Sequence, residues 1–418
     1  MMNTVCLFLF QLRFRLLRHF AVAALAPSLP SGVTPFWLLF WPLFLLCFQP
    51  QAAIVFEEGA YHVFPGDPIQ EAVDRAAKNP TNKLVKVHAG QYRPTSKRQA
   101  LIWFNRSHDG IRLEAVGSVN LSAANPDITN PRAEGYPAVV NHVVYFGDGI
   151  SSNTLLKGFR LTGANHFVTD KLTRQIEPDT NITKNLYFYT DGGAIKIFGR
   201  SYPRLENLEV VDNYASPCAG GISVQHIGFN QDWVSIENCV FVRNRAQVTG
   251  AAVDLLEGSA ARLINCLFAG NASNMGEDIV ARRSGEPPFT NSGVVTIFQH
   301  SRAILQNCTF TGNRNAIDDL GGESKYLHCI FADNTLKEGL AGPMRYELDL
   351  PQGAKVSGCI IRGVIIDPRR CVSANDNLLK PPAPQFDTNF VPTAIEYRSA
   401  GYSPVRPTKA DQQVGGAL

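Results

Sequence analysis

Proton abstraction next to a carboxyl group and acid–base cleavage of an acetal both need carboxylates near a basic group. One set of residues in this chain meets that need by its spacing. Five segments align on Ile195, Ile222, Val253, Ile279 and Ile317, and the residues that follow them are Lys196, Ser223, Asp254, Val280 and Asp318. If these segments are strands stacked in register, Asp254 and Asp318 share one outward sheet face, with His226, Arg282, Arg283 and His300 on adjoining turns. We expect Asp254 and Asp318 to be the catalytic pair and Arg282 the cation within side-chain reach. The competing reading of the same residues, Asp278 included, is an ordinary solvated face.

Aromatic rings with a polar handle make good sugar platforms, and Tyr187 to Tyr189, Phe198, Tyr202, Phe229 and Trp233 gather around the same segments. Tyr202 and Trp233 are expected to bind substrate with Lys196 and His226, most of the other rings to fill the core. From Ile279 to Cys308 the chain spends 29 residues where other repeats spend 12 to 17, so residues 281–293 read as a loop inserted beside the same sheet. Loops on a rigid scaffold commonly carry function. No metal ligand set and no cofactor are expected, and no residue pattern supports calcium.

The elements that hold these residues follow from a repeat. Asn238-Cys239-Val240-Phe241, Asn265-Cys266-Leu267-Phe268 and Asn307-Cys308-Thr309-Phe310 align without a gap, and each copy closes on an asparagine, Asn244, Asn271 and Asn313. Asn207 to Asn213 and His328 to Asn334 are degenerate copies. A second piece recurs between them as Gly192-Gly193-Ala194-Ile195, Gly220-Gly221-Ile222 and Gly250-Ala251-Ala252-Val253. Cysteine and phenylalanine alternate with residues facing the other way, and a period of two means strand. Short strands, Asn and Gly turns and a repeat of about 27 residues describe one rung of a single-stranded right-handed parallel β-helix, whose rungs must stack to bury their inner faces. The asparagines are expected at the bends, where they tolerate left-handed backbone and bond from rung to rung. Cys239, Cys266, Cys308 and Cys329 are expected as an inward column of reduced thiols.

Asp67-Pro68-Ile69-Gln70 reads as a capped start to a short helix that lids the first rung, with Ile69, Ala72, Val73 and Ala76 on its buried face. The proline-crowded stretch 366–418 is expected to add no rung and to run as a capping tail over the last one. Residues 54–365 are the β-helix. Residues 1–53 read as a signal peptide or N-terminal anchor, since Arg13, Arg15 and Arg18 precede an apolar run, Phe36 to Phe48, that is shorter than the ~20 residues of a spanning helix. The chain has 39 basic and 36 acidic residues, and those three arginines account for the whole excess. A neutral body lacks the basic footprint of a nucleic-acid binder. The seven cysteines outside the leader fit neither a compact disulfide framework nor paired zinc ligands.

On three pieces the chain resembles the exported right-handed parallel β-helix proteins of the pectin-lyase-like superfamily. These are the lid helix and first strand from Ile69 to Tyr92, the Gly-Gly-Ala-Ile and Asn-Cys-x-Phe rungs, and the tail from Phe386 to Tyr397 with Ser403-Pro404 and Val414 to Leu418. The resemblance implies an exported fold that hosts lyases, hydrolases, epimerases and non-catalytic surface proteins. It brings no enzyme's site with it: Gly-His-Gly and Arg-x-Lys do not occur, and Asp318-Asp319 is a weak match to the family's aspartates. The expectation is a secreted or cell-surface monomer that recognises, and where the carboxylates act processes, an extended polysaccharide. A membrane enters only if the leader is retained. The alternative is a non-catalytic structural or adhesive surface protein.

Overall fold

The computed structural model describes residues 54–166, 182, 186–276, 292–321, 323–339, 345–367, 376–388, 390–393 and 400–404. They form a parallel β-solenoid with three principal strands per regular rung, and a two-residue strand after the second bend in two rungs, where Tyr214–Ala215 pairs with Arg245–Ala246. One representative rung runs Val234–Glu237, Val240–Val242 and Val253–Leu255, and each strand pairs in parallel with its equivalent in the next rung. The all-β parallel class expected from the repeat is thus the fold observed. In the first rungs Leu84–Tyr92, Arg112–Ser122 and Leu155–Thr162 each do the work of two strands, and Gly158 (φ 84°) stands where Asn207 (φ 53°) begins the asparagine bends. Left-handed backbone explains the exchange, because Gly adopts it freely and Asn nearly so.

Alternation directs the interior. Phe241, Phe268, Phe310 and Phe331 are buried and stacked ring on ring with centroids 4.8, 4.3 and 5.0 Å apart. Beside them Cys239, Cys266, Cys308, Cys329 and Cys359 form a buried column without a disulfide. Each thiol finds a carbonyl one rung back, Cys266 Sγ donating to Ile236 O and Cys308 Sγ to Leu263 O at 3.4 Å each. We expect Cys308→Val to cost under about 1.5 kcal/mol, as hydrophobic swaps of similar volume do. Thermal melts check this, and a thiol reagent should find no reactive group in the column until the protein unfolds.

The asparagines divide by bend. Asn207, Asn238, Asn265 and Asn307 hold the left-handed conformation, at φ 53°, 56°, 54° and 53°. Their amide contacts are only partly buried, for instance Asn265 Nδ2 to Asn238 Oδ1 at 2.8 Å. The continuous ladder is at the second bend, where Asn213, Asn244, Asn271, Asn313 and Asn334 are buried and each Nδ2 donates to the next Oδ1, at 3.1, 3.0, 3.0 and 2.7 Å. Glu347 accepts from the last, Asn334.

Both ends differ in detail from expectation. The lid helix is Ile69–Lys78 with Ile69, Ala72, Val73 and Ala76 buried, but Pro68 is its cap residue and no side chain caps it. Asp67 instead accepts from Phe64 N at 2.8 Å, and Gln70 ties the helix to the backbone of Trp103. At the other end Leu378–Leu379 pairs with Ile360–Ile361, so the proline-rich segment does extend the stack by one short strand. The described tail residues also lie along the side of the solenoid. Gly401 N donates to His328 O, Tyr402 N to Thr309 Oγ1 and Ser403 N to Asn265 Oδ1, one rung per residue, and Tyr402 packs against Leu267 and Ala269. Apolar side chains that point outward explain the path, since they need a cover.

Candidate functional site

The third strand of each rung builds a single sheet from Arg98–Phe104 to Ile365–Ile366. Its register sets Ile195, Ile222, Val253, Val295, Ile317 and Leu348 side by side, facing the core. One residue on, the outward row reads Lys196, Ser223, Asp254, Thr296, Asp318, Asp349. Asp254 and Asp318 therefore do share one row, as their spacing predicts. The rung between them is Thr296, in place of the Val280 expected from an alignment on Ile279. The extra residues precede that strand, and a Gly-Val-Val segment competes well with Asp-Ile-Val for a strand position. Asp278, Ile279, Arg282 and Arg283 lie outside the described residues.

The expected solvated face is not there. Lys196, Ser223, Asp254 and Thr296 are 0% exposed and Asp318 1%. Turn residues close over the row: Thr249 Oγ1 donates to Asp254 Oδ2 at 2.9 Å, and Cys218 N donates to Asp191 Oδ1 at 3.1 Å. Tyr346, buried beside Asp318 and Asp349, stands over the far end. Lys196 Nζ spans one rung to donate to Ser223 Oγ at 3.1 Å. Among the described residues Asp191 Oδ2, Asp254 Oδ1 and Asp318 Oδ2 are buried carboxylate oxygens with no hydrogen-bond partner.

Burial decides the charge of these groups. It pushes the Asp254 carboxyl up to about 7, against the pull of the Thr249 and Cys218 donors and Lys196. It pushes Asp191 up to about 8 and Lys196 down to about 8, each partly restrained by the other's charge. Asp318 is raised well above the carboxylate range by burial and then by Asp349, Asp319 and Asp254. Near neutral pH the row can both hold and accept protons, which is what acid–base chemistry requires.

The other expected residues are apart from the row. His226 is buried with both ring nitrogens engaged, Nε2 with Ser201 O at 2.9 Å and Nδ1 accepting from Ala260 N at 3.2 Å, and burial holds it neutral down to about 4. It is a structural residue, since it follows a strand into a closed turn. Tyr202 is half-buried and donates to Phe229 O at 2.7 Å. Trp233 lies under two guanidinium groups, Arg262 at 4.7 Å and Arg302 at 4.6 Å. Tyr202 and Trp233 thus engage a turn carbonyl and arginines outside the carboxylate row. Phe188 and Phe198 pack with Tyr145 and fill a satellite core. His300 is exposed and faces Glu257 Oε1 at 3.1 Å.

Asp191, Cys218 and Thr249 escaped the sequence reading. They sit four residues before Ile195, Ile222 and Val253 respectively. That shared offset was the available signal, but their unlike chemistry hid it. An open cavity of about 300 Å³ lined by Lys97, Ile128, Glu134 and Val139 contains none of the row. Among the described residues no helix is long and apolar enough to cross a membrane. No family model, no curated protein and no solved structure matches the chain.

Proposed function

We propose that this protein is an exported β-helix of the pectin-lyase-like kind that binds an extended polysaccharide and cleaves it by hydrolysis across the Asp254 to Asp318 row. The observation that supports this reading is the pair of buried carboxyls two rungs apart, each with one unpartnered oxygen. Two rung steps are ~10 Å between backbone positions, which favours the wide carboxyl separation of inverting glycosidases over the ~5 Å of retaining ones. Asp318, the more strongly raised, stays protonated and gives its proton to the leaving oxygen. Asp254, ionising near 7, takes the proton of the attacking water. Thr296 between them bonds to Gly293 O and Gly250 N and contributes no charge.

The purified full chain is incubated with a panel of neutral and acidic polysaccharides, following reducing ends, unsaturated ends and the anomer first formed. Reducing ends of inverted configuration are the expected result. Unsaturated ends would replace hydrolysis by a lyase reaction. Asp254→Asn with Asp318→Asn should abolish the activity while the fold persists by circular dichroism. Burial of the row from Lys196 to Asp318 favours a second reading, a non-catalytic structural or adhesive surface protein. Binding to a polysaccharide without new chain ends, or no interaction with any, would select it.

A further inference from the structure

The turns that precede the sheet strands carry an arrangement that no motif in the sequence announces. Asp191, Cys218 and Thr249 occupy equivalent positions in three successive rungs, each four residues before its strand. All three are buried. They are joined in sequence by hydrogen bonds: Cys218 N to Asp191 Oδ1 at 3.1 Å, Ala219 N to Thr249 O at 3.1 Å, and Thr249 Oγ1 to Asp254 Oδ2 at 2.9 Å. Cys218 also lies close enough to the Asp254 carboxyl to lower its proton affinity. This cysteine is separate from the inward column, which begins at Cys239.

A column that ends on one oxygen of a carboxyl leaves the two oxygens unlike. Asp254 Oδ2 is held by Thr249, and Asp254 Oδ1 has no partner. We infer that Thr249 is a positioning residue that locks the Asp254 carboxyl through Oδ2 and so presents Oδ1 as its single reacting oxygen. The inference rests on the hydrolase reading for its use, but not for its geometry. Charged and titratable groups facing Asp254 are Lys196 from the strand two rungs up, Asp191 and Cys218 from the turns, and Asp318 two rungs down. A hydroxyl donated to the ionised carboxyl favours that form, so Thr249 holds the proton affinity of Asp254 lower than burial alone would set it.

Thr249→Val keeps the shape and removes the donor, and Thr249→Ser keeps the donor. The ionisation of Asp254 is read as the upper breakpoint in the pH-dependent stability difference between each protein and the same protein carrying Asp254→Asn. For Thr249→Val that breakpoint should move up by about one pH unit, and for Thr249→Ser it should stay. In an active protein Thr249→Val should lower kcat with KM held and shift the acid limb of the pH profile by the same amount. Should Thr249→Val fail to fold, Thr249→Ala against Thr249→Ser gives the same comparison. An unmoved breakpoint in the donor-less variant overturns the inference. A moved breakpoint in a protein that hydrolyses nothing keeps the positioning column and removes the hydrolase.

Discussion

Asp254→Asn is expected to be less stable than the parent protein at pH 4 and more stable at pH 8. The parent's Asp254 carboxyl ionises near pH 7 when folded and near 3.9 when unfolded. A raised folded value means that the group's stabilising contribution is complete below the unfolded value and is lost as pH rises to the folded one. Three units at about 1.4 kcal/mol each give a loss of ~4 kcal/mol between pH 4 and 7, and no further change above. An asparagine escapes this loss because it stays neutral, and its Oδ1 keeps the Thr249 bond. Its amide hydrogens, placed where Oδ1 has no partner, cost about 2 kcal/mol. The variant should therefore start ~2 kcal/mol behind and finish ~2 kcal/mol ahead. Denaturant titrations of both proteins at pH 4, 6 and 8 measure the crossing. A difference independent of pH would mean that Asp254 is ionised and well solvated, and the acid–base role would fall with it. Residues that serve function at a cost in stability behave in the predicted way.

The second large effect belongs to the asparagine ladder. Asn271→Ala should cost at least 3 kcal/mol and cut the melting temperature sharply. Asn271 Oδ1 accepts both Asn244 N, at 2.9 Å, and Asn244 Nδ2, at 3.0 Å, while its Nδ2 donates to Phe241 O and to Asn313 Oδ1. An alanine removes a partner from each of these groups, in the two flanking rungs and all buried. Each orphaned group costs about 1–3 kcal/mol, and relaxation recovers only part. Asn265→Ala, at the half-exposed first bend, loses its bonds to Asn238 Oδ1 and to the Ser403 backbone, contacts that water can replace, so its cost should be clearly smaller. Equal melts for the two variants would contradict the division between bends.

The sequence alone determined the rung. Alternation in Cys239-Val240-Phe241, with gapless copies at Cys266 and Cys308, fixes which side chains face in, because a strand offers only two faces. The same local logic set Asp254 and Asp318 on one row, since residues at the same offset from an inward anchor point the same way in every rung. Three matters were decided by tertiary structure. The intervening rung fell on Thr296 because two segments had similar strand character, and only the packing of a whole rung chooses between them. Whether an outward residue meets water was equally undetermined, since alternation says which face a side chain takes and nothing about what lies on that face. Turn residues from neighbouring rungs fold over Lys196 and Asp254, and the tail covers Leu267, through contacts between residues distant in sequence. The charge on the row was settled last, because a carboxyl's proton affinity depends on burial and on neighbours assembled from four rungs, none of which a local pattern encodes.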